Sequence, residues 1–262
     1  MTPTIQEILR PLEQFAPLSL QEDYDNCGLL IGSPDTPCTG ALLTVDVTPA
    51  TVAEAIATGC NLIIAHHPLI FRGLKRLTGQ TLVEQTVIDA LRAGVAIYAC
   101  HTCLDNAPEG VSFSMARMLG LTDIRVLDPR PADPSTGSGA IGRFPEPVTA
   151  TELVAKVKQA FGSPMVRCTE PPAGEISSVA LCGGSGSFLI PAAEASGAQA
   201  FITSDTKYHD FVDHSARIFL IDIGHHESEN CTKQIFYHVI TKFFPNFAVR
   251  YAQTDINPIK YL

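Results

Sequence analysis

Short apolar runs alternate with helix-period segments along this chain, an order that is the signature of α/β architecture. Strands are expected near 40–46 (Gly40-Ala-Leu-Leu-Thr-Val-Asp46), 60–65, 95–100 and 124–127, with helices near 49–58, 79–93 and 111–119. Thr48 followed by Pro49 offers an N-cap and first-turn pair, and Gly59 and Gly94 stand where helices close. Residues 128–139 are rich in Pro, Gly and Ser and read as a linker. A second α/β stretch follows: strand 139–144, helix 149–161, strands near 165–168 and 177–182, helix 189–196 and strand 199–203. A strand at 216–221 then leads into one long helix from His225 to Phe243 and a last strand near 247–251. The expectation is two α/β lobes, 1–127 plus 216–262 and 128–215.

At 262 residues, 45% hydrophobic and 17% charged, with no run of eighteen apolar residues, the chain reads as globular and not as a membrane span. Its N-terminus carries Glu7, Glu13, Glu22 and Asp23 and does not read as a signal peptide, so the cytoplasm is the expected compartment. A net charge of −9 argues against nucleic acid as the main partner, which requires clustered Lys and Arg. The densest basic stretch holds Arg72, Lys75 and Arg76, enough to contact one anionic ligand or to solvate a loop. Cys60, Cys100, Cys168 and Cys182 fall inside apolar runs, where cysteine acts as a small core residue. Cys100-His101-Thr102-Cys103 is a solitary C-x-x-C with no second pair to complete a zinc knuckle, and it is expected to be neither a disulfide nor a metal site.

Three segments carry the chemistry, and each follows an expected strand. Ile63-Ile64-Ala65-His66-His67-Pro68 sets two imidazoles at a strand end. Neighbouring strand side chains point to opposite faces, so one metal would not readily take both, whereas two metals side by side could take one each. Two surface histidines are the alternative. His101-Thr102-Cys103-Leu104-Asp105-Asn106 offers Asp105 as a hard oxygen ligand, against the alternative of an Asx turn. Gly224-His225-His226-Glu227-Ser228-Glu229 puts His225 and Glu229 at i and i+4 of a helix starting at His225. A helix N-terminus favouring acidic residues would explain the carboxylates but not the histidines. In open α/β sheets ligands gather at the carboxyl ends of strands, so these loops can share a site. Three imidazoles and two carboxylates suit two borderline divalent ions such as Fe, Zn, Mn or Ni.

Asp25-Asn-Cys-Gly-Leu-Leu-Ile-Gly32, His66-His-Pro-Leu-Ile-Phe71, His101-Thr-Cys-Leu-Asp105, Thr203-Ser-Asp-Thr-Lys-Tyr-His209 and Gly224-His-His-Glu-Ser-Glu229 resemble, in matching order, the motifs of the NIF-three-like family. That family is also labelled GTP cyclohydrolase I type 2 homologues or dinuclear metal centre proteins. The resemblance implies that His66, His67, Asp105, His225 and Glu229 ligate two metals, with Glu229 bridging, at the carboxyl ends of strands between two lobes. It also implies a homohexameric ring, and a short form without the domain that longer members insert. Cys27 and Cys103 replace the usual Val and Asn, and Ser204 replaces a Gly. His101 and His209 are candidates to support ligands or substrate. Gly183-Gly-Ser-Gly-Ser187 reads as a tight turn or as a phosphate cradle built from backbone amides. Two functional classes follow: a metal-dependent hydrolase of a nucleotide or phosphoester, GTP cyclohydrolase-like by resemblance, or a non-catalytic protein for metal storage, delivery or regulation.

Overall fold

The computed structural model describes residues 2–262. In chain order the described strands are β1 (Gly28–Ile31), β2 (Ala41–Thr44), β3 (Leu62–Ala65), β4 (Ala96–Ala99), β5 (Thr122–Arg130), β6 (Asp133–Val148), β7 (Arg167–Cys168), β8 (Ile176–Ser185), β9 (Ala200–Ser204), β10 (Phe219–Asp222) and β11 (Val249–Tyr251). The α-helices are α1 (Ile5–Phe15), α2 (Pro49–Ala57), α3 (Leu82–Ala93), α4 (Thr102–Asp105), α5 (Val111–Met118), α6 (Ala150–Phe161), α7 (Ile190–Ala195), α8 (Tyr208–His214), α9 (His225–Glu229) and α10 (Thr232–Phe243). They form two compact units, Met1–Leu104 with Thr232–Ile256, and Asp105–Cys231 with Asn257–Leu262.

The first unit is a five-stranded sheet in the order β1-β4-β3-β2-β11. β11, β2, β3 and β4 run parallel, and β1 is antiparallel at the edge. Every residue of β2, β3 and β4 is buried, as in a parallel sheet covered on both faces, and the sequence shows this as continuous apolar runs. Leu42, Ile63 and Ile97 pack with Val52 and Ala55 of α2 and Val87 and Ala90 of α3. Full burial of each large aliphatic side chain contributes about 1.5–3 kcal/mol. Thr48 caps α2 with Pro49 inside its first turn, and Gly94 closes α3 at φ +67°, as the sequence predicts. Thr4 and Glu7 close a capping box on α1, a helix absent from the sequence reading.

The second unit is a six-stranded mixed sheet, β5-β6-β8-β9-β10-β7, in which β8, β9 and β10 run parallel. Residues 105–127 and 216–231 belong to it, although the sequence reading put them in the first lobe. The expected linker at 128–139 is instead the hairpin of β5 and β6, with Pro129 opposite Gly137. Pro129 stands on an edge strand, where a missing N–H is tolerated. A Cβ on Gly137 would lie 2.2 Å from the Asp128 carbonyl oxygen, so the glycine there permits close strand approach rather than flexibility.

The expected long helix from His225 is two helices, α9 and α10, broken at Asn230–Cys231. The unit boundary falls at this break: α9 packs on β8 and β9, whereas α10 packs on α1 and β2. Cys60, Cys100 and Cys182 are buried as expected, but Cys168 is exposed on two-residue β7. No described helix is long and apolar enough to cross a membrane.

Candidate metal centre

In the first unit β3 and β4 are parallel neighbours, with Ala65 beside Ala99, so the segments leaving their carboxyl ends emerge at one edge. His66 and His67 leave β3 there and His101 leaves β4. The ligand atoms of these three imidazoles all lie within 4.8 Å of one another, and the ring centroids are 5.1–5.3 Å apart. Each Nδ1 meets an oxygen: His66 the Cys100 carbonyl, His67 the Asp46 carboxylate and His101 the Asp25 carboxylate, all at 2.9 Å. These oxygens only accept, so each Nδ1 donates to its oxygen and the oxygen orients the ring. That is the support metal-bound histidines ordinarily have.

Asp25 precedes β1, whose antiparallel pairing (Gly28 with Ala99) sets it beside the exit of β4. Its carboxylate also accepts from the Thr102 amide at 3.0 Å, the Thr102 hydroxyl and the Cys27 thiol. Burial alone would raise the Asp25 pKa, but the His101 and Thr102 hydrogen bonds and the imidazole charge outweigh it and hold the carboxyl well below its ordinary range. Cys100 and Cys103 are both buried, Sγ to Sγ at 3.6 Å.

In the second unit His225 and Glu229 share one face of α9, with Nε2 3.0 Å from Oε2. Asp205 adopts φ +55°, a left-handed conformation uncommon outside glycine, and its carboxylate meets His225 Nδ1 at 2.7 Å. The unusual backbone angle thus falls at Asp205 and not at Ser204. Burial alone would lower the His225 pKa, but the hydrogen bonds and charges of Glu229 and Asp205 raise it to about 9. Glu229 is buried, and its Oε1 occupies the space a Cβ on Gly184 would fill, 2.2 Å away. The Gly184 amide donates to Ser228 Oγ and the Gly186 amide to Thr203 Oγ1. These amides therefore secure α9 and the end of β9, and the glycine-rich turn is not an open phosphate cradle. Asp105 ends α4, and its charge and that of Glu229 both raise the thiol pKa of Cys182 and Cys231, after burial itself. The two carboxylates therefore share one neighbourhood of this unit.

His101 stands as near to His66 and His67 as they stand to each other, and His209 lies exposed on α8 with its ring 5.4 Å from that of Tyr208. Sequence reasoning missed Asp46, Asp25 and Asp205 as the oxygens that orient the rings. Asp46 and Asp205 each follow an apolar strand run, the same signal that exposed the histidines. The donor chemistry fits divalent cations. It consists of oriented imidazoles and a buried carboxylate, with no thiolate among them.

The sequence matches the family described as Duf34/NIF3 (NGG1p interacting factor 3) over residues 3–258. The chain belongs to that family. Among Duf34/NIF3 relatives it is 40% identical over 228 residues to a Lactococcus lactis protein named GTP cyclohydrolase 1 type 2 homolog, covering 85% of this chain and 86% of the relative. It is 31% identical over 222 residues to a Schizosaccharomyces pombe protein named Protein NIF3 homolog, covering 80% and 79%. A solved Staphylococcus aureus hypothetical protein superposes with a TM-score of 0.92 at 27% identity, covering 99% of both chains. A Bacillus cereus protein related to NIF3 shares the fold, with a TM-score of 0.93 at 24% identity, covering 100% of this chain and 99% of the other.

Proposed function

We propose that this chain is a metal-dependent hydrolase of a nucleotide or phosphoester, with two divalent ions held by His66, His67, Asp105, His225 and Glu229, and Glu229 bridging. The observation that carries the reading is the cluster of His66, His67 and His101 at one sheet edge, with ligand atoms within 4.8 Å of one another and an oxygen orienting each ring at Nδ1. When bound, such ions polarise a substrate oxygen and lower the pKa of a coordinated water towards 7. His101, held by Asp25 at Nδ1 and clustered with His66 and His67, is the group to hold or pass a proton at its Nε2. The name of the Lactococcus lactis relative supports a purine nucleotide as the substrate class.

A non-catalytic role in metal storage, delivery or regulation is the second reading. It is favoured by the scarcity of proton-transfer groups: among the described residues, His101 is the one member of the ligand-grade clusters outside the five proposed ligands. A screen of nucleotides and phosphoesters with metal-replete protein separates the two. Hydrolysis that stops on chelation and falls in His101→Ala at unchanged metal content supports the enzyme. Exchangeable metal with no turnover across the screen refutes it.

A further inference from the structure

The His66–His67–His101 cluster continues outward into a pair of aromatic side chains that the chemistry so far does not use. The Phe71 ring lies 6.3 Å from the His101 ring at 68°, and the Tyr24 ring lies 6.3 Å from Phe71 at 43°. Both are open to solvent, Tyr24 at 66% and Phe71 at 44%, although neither belongs to a helix or strand whose amphipathic pattern would leave an aromatic outside. Large exposed aromatics side by side are uncommon on a surface without a ligand. The two loops are tied together, because Asn26 Nδ2 donates to the Ile70 carbonyl at 2.6 Å, next to Phe71. Asp25, next to Tyr24, is anchored on His101 and Thr102. The pair is thereby preorganised, so little ordering cost falls on a ligand that uses it. Arg72 follows Phe71 directly and is exposed, and with Lys75 and Arg76 it concentrates positive charge in a chain of net charge −9.

We propose that Tyr24 and Phe71 form a stacking platform for the planar base of a nucleotide, with Arg72 receiving its phosphate. Flat rings with a cationic residue next in the chain match a ligand that is aromatic at one end and anionic at the other, whereas a bare phosphoester would use only the cation. This assignment rests on the hydrolase reading and narrows its substrate to nucleotides.

Guanosine monophosphate, guanosine and ribose 5-phosphate, titrated calorimetrically into metal-replete protein with metal content measured on the same samples, test it. The monophosphate should bind more tightly than ribose 5-phosphate, and Phe71→Ala and Tyr24→Ala should each weaken it by about tenfold or more. Metal content and ribose 5-phosphate affinity should not change in either variant. Arg72→Ala should weaken the monophosphate but not guanosine. Phe71→Trp should keep the affinity, and because the chain has no other Trp its indole fluorescence should be quenched by the base. Equal affinity for the monophosphate and ribose 5-phosphate, or unchanged monophosphate affinity in both alanine variants, overturns the platform and leaves the metal reading standing. Absence of metal overturns the metal reading, and base binding is still read on the same sample. Alanine variants that alter only the assembly mass would assign the pair to a subunit contact and also overturn the proposal.

Discussion

Asp46, Asp25 and Asp205 do equivalent work at three places, each presenting a carboxylate to the Nδ1 of an imidazole. Removing such an oxygen lets the ring rotate and weakens metal binding by about 10–100-fold in comparable sites. Asp205→Gly tolerates the left-handed backbone of that position and deletes only the carboxylate. It should lower divalent-metal affinity by that factor in a competition titration against a chromophoric chelator, and unchanged affinity would exclude the orienting role. Asp25 makes a prediction in pH. Its folded pKa is held below the unfolded value of about 3.9, so its contribution to stability is complete above that value and lost as pH falls through the folded one. The difference in urea stability between wild type and Asp25→Asn should therefore be constant above about pH 5 and shrink below about pH 4. A difference that grows on acidification would reverse the assignment. Of the site, the histidine cluster was legible because imidazoles directly after apolar runs are conspicuous. The orienting aspartates were not, because an Asp after a strand is as common in a turn as in a hydrogen bond to a ring.

At the level of elements, β9 and β10 are parallel neighbours that deliver Asp205 and His225 to one edge, and β8 ends on the glycines against which α9 lies. Gly184 has φ +63°, and an added Cβ would collide with Glu229. Gly184→Ala should cost more than about 1 kcal/mol of stability and displace the carboxylate. A lowered melting temperature together with lost metal is expected, and a variant as stable and metal-rich as wild type would show that the contact does not matter. Cys100→Ala/Cys103→Ser should leave metal content unchanged, since the two sulfurs face each other, and lost metal would make them ligands. The buried strands and the caps of α2 and α3 were readable because local propensity and tertiary role agree there. The hairpin of β5 and β6 was hidden because Gly, Pro and Ser serve a close strand crossing as well as a flexible linker, and only the pairing partner distinguishes them. The break between α9 and α10 was hidden because helical periodicity continues across it. Which core each half enters is a long-range fact.

At the scale of the whole molecule, we propose the closed homohexamer that the family resemblance suggests, in which each subunit would reuse the same patches. Light scattering should report about six times the 28.1 kDa chain mass, and a monomer or dimer would refute the ring without touching the metal assignment. The two-lobed α/β order was visible in the alternation of runs, but the boundary was not. Residues 105–127 are apolar enough to suit either unit, and strand pairing decides between them. Elemental analysis of protein purified with metal supplied is the most direct test of the account. Wild type should carry about two divalent ions per chain, and Glu229→Ala, which removes the proposed bridge, should lose or weaken both. A metal-free wild type, or a Glu229→Ala variant that retains both ions, would contradict it.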